Sequence, residues 1–225
     1  MDNKENPLSH IYKNAKAYKQ SLILLSANEL GIFDCLYKKS KSAEDIAKEL
    51  KLNFRGLTML LNALVLMKML KKSGKKYSNL RAYEPYLVKS GKYYIGSSLK
   101  HDLDLVGAWK ELPTVIRSGK PVRKEKRTPK EQENFILAMA NSSELKIDDF
   151  FNNVDLSTCR KFLDVGGGPG TFCLNAVKKY KKLTAYNLDL SETIAIAKKY
   201  LSVFKEKERI KLLKGDFFKD DFGDE

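Results

Sequence analysis

Apolar positions first recur at helical spacing between Ile11 and Leu36: Ile11, Ala15, Tyr18, Leu22 and Leu25, then, past Asn28, Leu30, Phe33 and Leu36. The pattern predicts two helical segments sharing one buried face. Ser42 ahead of Ala43, Glu44 and Asp45 is an N-cap with acid in the first turn, opening a short helix that Leu50 to Leu52 closes. Asn53 caps a further helix, Phe54 to about Met67. Met69 to Lys72, the turn Ser73-Gly74, and Lys75 to Ser78 then read as a small hairpin. Three helices and a hairpin outline a winged helix.

A winged helix that reads DNA needs a polar face on its recognition helix to reach base edges. From Leu57 to Leu70, eleven of fourteen residues are apolar, leaving only Thr58, Asn62 and Lys68. A helix apolar all round is expected to be buried all round. A domain of roughly 90 residues cannot easily enclose one alone. The expected cover is a second copy of the chain in a homodimer, with Ile11 to Leu36 as the facing surface.

Residues Leu80 to about Asp155 read as helical and connective, with Trp109, Leu112 and Val115 on one face and Phe135, Leu137, Ala138 and Met139 on another. After Thr158 strands and helices alternate. Phe162 to Val165 is a buried strand, Gly166 to Gly170 a glycine turn, and Thr171 to Tyr180 a helix. Leu183 to Leu188 is a second strand, Glu192 to about Lys205 a helix, and Ile210 to Leu213 a third strand. This is βαβαβ, a parallel sheet with right-handed crossovers. The expected fold class is α/β: an N-terminal all-α winged-helix domain (residues 1–100), a helical connector (101–158) and the first βαβαβ half of a Rossmann-like domain (159–225).

Composition narrows the function classes. The 225 residues are 43% hydrophobic and 31% charged, which supports a folded core and excludes a disordered or fibrous chain. The polar start MDNKENPLSH has no basic-then-apolar signal region, and unbroken apolar runs such as Ala63 to Met67 are far too short to span a membrane. Cys35, Cys159 and Cys173 are odd in number and widely spaced, so neither a disulfide framework nor a metal site is expected, and the compartment is a reducing cytoplasm. The net charge of +14 comes mostly from lysines scattered through every segment. Any nucleic-acid binding should therefore be weak and non-specific. One basic cluster stands out between Arg117 and Lys130, where seven basic residues accompany Glu125, and Pro121 and Pro129 keep it out of a helix.

The candidate chemistry lies in Gly166-Gly167-Gly168-Pro169-Gly170, which follows a strand and opens a helix. Glycines there allow close backbone approach, and the helix N-terminus offers unpaired N–H groups. A dinucleotide fingerprint needs Gly or Ala at the position of Thr171, and so fails. The spacing Asp164-x-Gly166-x-Gly168-x-Gly170 suits S-adenosylmethionine better, because its sulfonium and ammonium charges favour a carboxylate entering the turn. Asp189 ends the second strand, placed to accept from both ribose hydroxyls. Asp216 ends the third in Gly215-Asp216-Phe217-Phe218, where the carboxylate can accept from the adenine amino group and Phe217 can pack on the ring.

On these residues the chain resembles the S-adenosylmethionine-dependent O-methyltransferases of the caffeate, hydroxyindole and bacterial polyketide or carotenoid type. The resemblance is carried by the winged-helix region, IRSGKP (116–121), FILAM (135–139), FLDVGGGPGTF (162–172), LDLSE (188–192) and KGDFF (214–218). It implies that the N-terminal domain dimerises, that Gly166 and Gly168 line the cofactor, that Asp189 binds ribose, and that Asp216 with Phe217 holds adenine. It also implies a small hydroxylated acceptor, aromatic or apolar, in a pocket lined by the connector through Phe135 and Met139. Ser191 stands where the family usually has proline.

The family's general base, a His in a segment resembling L-H-D-W, is expected beyond Glu225, since neither His10 nor His101 matches that motif. The expectation is a C-terminally truncated and itself inactive O-methyltransferase. Two other readings are a winged-helix regulator with a nucleotide-sensing Rossmann domain and a non-catalytic dimerisation module.

Overall fold

The computed structural model describes residues 6–121 and 127–220. Residues 122–126, the middle of the basic cluster, lie outside the described residues. The chain divides into two compact units, Met1–Val122 and Arg123–Glu225.

In the first unit α1 (Pro7–Glu29) starts where the Asn6 side chain accepts from the Leu8 N–H at 2.9 Å, with Pro7 in the first turn, where its missing N–H costs nothing. α2 (Ile32–Cys35) follows Gly31, which turns the chain at φ 73°. β1 (Lys41–Ser42) leads into α3 (Ala43–Leu50) through a capping box: Ser42 Oγ accepts from the Asp45 N–H, and the Asp45 carboxylate reaches back to the Ser42 N–H. α4 (Phe54–Leu66) is capped by Asn53, whose Oδ1 accepts from the Gly56 N–H at 3.0 Å. β2 (Leu70–Ser73) and β3 (Lys76–Asn79) form the hairpin, and β3 also pairs antiparallel with β1. The resulting order β1-β3-β2 completes the wing. Short α5 (Glu84–Leu87), then α6 (Gly96–Lys110) and α7 (Leu112–Ser118), follow. Ile32, Leu36, Ile46, Leu61 and Leu64 are completely buried in the core, each worth about 1.5–3 kcal/mol of transfer free energy.

The expected helix end near Met67 is met, but the apolar stretch Leu57 to Leu70 is not helical throughout. The helix from Asn53 stops at Leu66, because Lys68 adopts a left-handed φ of 57° and the Met69 N–H closes back onto the Leu64 carbonyl at 2.9 Å. Leu70 therefore belongs to β2. Within one chain α4 is not buried all round, in keeping with the cover expected from a second copy. Leu57, Leu61 and Leu64 face the core, while Met59 and Leu66 are 67% and 84% exposed. The first half of α1 likewise leaves Leu8, Ile11, Tyr12 and Tyr18 exposed, and only its C-terminal end is buried.

The second unit opens with α8 (Pro129–Glu144), capped by a Thr128/Glu131 box, and α9 (Ile147–Asn153). The alternation that follows is β4 (Lys161–Val165), α10 (Thr171–Lys179), β5 (Thr184–Asp189), α11 (Ser191–Leu201) and β6 (Ile210–Lys214). The strands are parallel in the order β4-β5-β6, with Asp164 opposite Asn187 and Asn187 opposite Leu212. Cys173, Leu174 and Val177 of α10 pack with Ala185, Leu201 and Ile210 into the core beside the sheet. Arg209 ties the end of α10 to the sheet, donating to the carbonyls of Val177, Tyr180 and Leu183 and so satisfying groups the helix end leaves open. α11 ends earlier than its apolar pattern suggests, the chain passing into a short 3₁₀ turn at Lys205–Arg209. An ion pair of 2.6 Å between Glu133 and Lys199 joins α8 to α11.

Among the described residues no helix is long and apolar enough to cross a membrane. None of their His, Cys, Asp and Glu side chains cluster as a metal site.

Candidate functional site

The site grows from the carboxyl edge of the parallel sheet. Leaving β4, the chain makes a tight turn in which the Gly166 and Gly167 N–H groups both donate to the Leu188 carbonyl, at 2.8 and 3.3 Å, and the Gly170 N–H donates to the Gly167 carbonyl at 2.9 Å. The turn is thus tied to β5 before α10 begins. Gly168 has φ 56°, and a Cβ added there would meet nothing within 4 Å. Its glycine supplies left-handed backbone facing open space, which a ligand can approach closely. Gly167 is different. A Cβ there would lie 2.0 Å from Asn187 Oδ1 and 2.7 Å from the Asp164 carboxylate, so only glycine fits.

Asp189, the last residue of β5, aims its carboxylate into the turn. Its Oδ2 accepts from the Gly168 N–H at 2.9 Å and its Oδ1 from the Leu190 N–H at 2.7 Å. Asp164, inside β4, is largely buried, and its Oδ2 has no hydrogen-bond partner among the described residues. Burial, with the negative charge of Asp189 beside it, pushes the Asp164 carboxyl up to about 6. Thr171, 1% exposed, fills the place where a dinucleotide turn needs Gly or Ala for close helix packing.

Asp216 is not a strand end, which corrects the expectation. β6 stops at Lys214, and Asp216 opens a turn in which its carboxylate accepts from the Phe218 N–H at 3.1 Å and pairs with Lys219 at 2.8 Å. Lys219 holds that carboxyl below its usual range. Phe217 folds back from this turn until its ring edge lies 3.7 Å from the Cβ position of Gly166, and it stays 48% exposed. The structure therefore brings Asp164, Gly166, Gly168, Gly170, Asp189 and Phe217 to one edge of the sheet, with Asp216 at the base of the Phe217 turn.

Phe135 and Met139 are half-buried on α8, which packs against α10 and α11 rather than forming part of the turn. The Arg127 guanidinium lies 4.1 Å over the Phe135 ring, a contact nothing in the sequence announced. His10 and His101 belong to the other unit, on α1 and α6. The residue missed from sequence is Asn187. It is completely buried, donates from Nδ2 to the Gly168 carbonyl at 3.2 Å, and leaves Oδ1 without a partner among the described residues. Its signal was a lone amide set among Ala185, Tyr186 and Leu188 of the strand.

An open backbone cradle, a carboxylate at the end of the neighbouring strand, an exposed aromatic edge and a buried, unpartnered carboxyl oxygen together fit an adenosine bearing a cationic tail. Comparison with known proteins agrees. Residues 12–88 match the O-methyltransferase dimerisation domain, and residues 116–224 match the O-methyltransferase domain. Acetylserotonin O-methyltransferase of Gallus gallus is 28% identical over 93% of this chain and 66% of its own length. The N,N-dimethyltransferase OxyT of Streptomyces rimosus is 25% identical over 91% of this chain and 63% of its own. The chain thus spans just under two thirds of these relatives. The crystal structure of human N-acetylserotonin methyltransferase in complex with SAM superposes with a TM-score of 0.82 at 25% identity, over 98% of this chain and 69% of that one. Matched in both its units, the chain belongs to the S-adenosylmethionine-dependent O-methyltransferase family, in which a dimerisation domain precedes the methyltransferase domain.

Proposed function

We propose that the protein containing this chain transfers a methyl group from S-adenosylmethionine to a hydroxyl of a small aromatic or apolar acceptor. The observation that carries the reading is the Asp189 carboxylate latched to the Gly168 N–H, which presents a strand-end acceptor and an open glycine backbone to the same ligand. In this reading Asp189 accepts from the ribose hydroxyls. Phe217 and Asp216 hold the adenine, Gly166, Gly168 and Gly170 let the backbone approach, and Asp164 faces the cationic end. The bound cofactor supplies a methyl group made electrophilic by its sulfonium. The chain's own residues contribute alignment, which in such displacements is worth several kcal/mol of the barrier. Phe135 and Met139, on the connector of residues 101–158, are proposed to line the acceptor pocket. No residue of the chain is assigned the general-base role.

The dimerisation match, with Met59 and Leu66 exposed on α4 and Ile11 and Tyr18 on α1, supports a homodimer. The same apolar outward face of α4 favours packing over base reading, so sequence-specific DNA binding is not part of the proposal. Three unpaired cysteines suit a reducing cytoplasm. The test is transfer of a radiolabelled methyl group to a panel of phenols, hydroxylated polyketides and arylamines. Labelled methyl ethers are expected from the intact protein. Label confined to arylamines would move the acceptor from oxygen to nitrogen.

A further inference from the structure

Asp164 and Asn187 are register partners on neighbouring parallel strands, so their side chains leave the same face of the sheet side by side. The orientation of the Asn187 amide is fixed: its Nδ2 donates to the Gly168 carbonyl, and a flipped amide would set two carbonyl oxygens against each other. Oδ1 is thereby turned toward Asp164. A Cβ on Gly167 would collide with both Asn187 Oδ1 and Asp164 Oδ2, so the two oxygens border one small space. Each is buried and lacks a donor among the described residues. Two buried oxygens facing each other through lone pairs alone are costly, and a single proton on the carboxyl relieves both, since a carboxylic acid can donate to an amide oxygen.

We propose that Asp164 and Asn187 form a one-proton seat beneath the glycine turn, which holds a proton when empty and releases it when a cationic ligand group takes its place. The inference rests on the cofactor reading above and adds to it a positioning role for Asn187 and a proton exchange. In the exchange the Asp164 O–H bond breaks, the proton passes to solvent, and the carboxylate left behind faces the ligand's ammonium or sulfonium. No electron is transferred. The groups that face Asp164 are Asp189 and Asn187 from β5 and the Cys173 thiol from α10. The thiol is itself pushed up by burial and by Asp164, so it stays neutral, and among the described residues Asp189 is the charge acting on the seat. Burial and that charge both favour the proton, with the carboxyl raised to about 6.

The test has two readouts. In the ligand-free chain, carbon NMR of the Asp164 carboxyl should give a midpoint near 6, and Asn187→Ser, whose hydroxyl can donate to the carboxylate, should return it toward the ordinary carboxylate range. Calorimetry with S-adenosylhomocysteine, in two buffers of different ionisation enthalpy, should show release of most of one proton at pH 5, about half of one at pH 6 and almost none at pH 8. Affinity should fall about tenfold per pH unit below the midpoint. Asp164→Asn, which keeps the shape and can donate to Asn187 Oδ1, should bind without releasing a proton. Methylthioadenosine, which lacks the ammonium, should bind the native chain without release. Proton release unchanged in Asp164→Asn, or an Asp164 midpoint in the ordinary range, would overturn the seat. Absence of S-adenosylhomocysteine binding at every pH, with the NMR midpoint still near 6, would overturn the cofactor reading and with it the exchange.

Discussion

The Asp189 carboxylate accepts from the Gly168 N–H at 2.9 Å, so the end of the second strand of the parallel sheet holds the glycine turn that follows the first. One side chain therefore shapes the backbone cradle and offers an acceptor to whatever enters it. Replacing it by Ala should remove both effects. S-adenosylhomocysteine binding to Asp189→Ala is expected to weaken by roughly 1.5–3 kcal/mol, about ten- to a hundredfold, as charge-assisted hydrogen bonds are lost. Fluorescence titration of the two proteins side by side checks this.

The glycines of the turn are not equivalent. Gly167→Ala forces a Cβ against Asn187 Oδ1 and the Asp164 carboxylate, both held in the sheet, and should cost about 1–3 kcal/mol of stability through overpacking. Gly168→Ala meets no atom and bears only the left-handed backbone penalty, about 1–2 kcal/mol. Its larger effect should be on ligand approach. Urea denaturation and ligand titration of both variants separate the cases: Gly167→Ala is expected to lose stability and binding together, Gly168→Ala mainly binding.

Asp164 makes stability depend on pH in the direction opposite to a paired carboxylate. Its folded-state carboxyl sits near 6 against a usual 3.8, so between those values the native chain holds a proton that the unfolded chain has lost. Stability falls as pH rises through that window, and above about 6 the native state bears the whole cost of the buried charge. Asp164→Asn should therefore stabilise the chain by about 1–3 kcal/mol at pH 7.5 and by little at pH 4. Denaturation midpoints at the two pH values read it directly.

The winged-helix outline, the βαβαβ alternation and the strand-end position of Asp189 were legible because each is written locally, in helical spacing, caps and glycines. The two-residue β1 was not. It exists through pairing with β3, and its Ser42 carries a helix-cap signal that Asp45 confirms. Asn187 was hidden for a related reason: what makes it matter is the register that sets it opposite Asp164, a property of two strands and not of either segment alone. Asp216 was misplaced by two residues because the strand ends at Lys214, the Gly215 N–H makes a bond to the Asp189 carbonyl, and the chain then turns about a carboxylate bound to Lys219. The apolar content of α4 was plain, but which residues stay outside depends on the phase fixed by Leu57, Leu61 and Leu64 against the core.

That phase gives a prediction about assembly. Leu66 is 84% exposed on the single chain, so Leu66→Lys should cost its fold little, within about 0.5 kcal/mol. A lysine on each copy would desolvate charge in an apolar contact between copies. Light scattering should show a native dimer shifting toward monomer in the variant, with thermal stability of each unit retained.

The central claim is that this glycine turn and its acids are built for an adenosyl ligand with a cationic tail and not for a dinucleotide. Calorimetric titration of the native chain at pH 7.5 with S-adenosylhomocysteine and, separately, with NADH tests it most directly. Saturable binding of S-adenosylhomocysteine with no heat of binding from NADH is the predicted result. NADH bound and S-adenosylhomocysteine ignored would contradict the account.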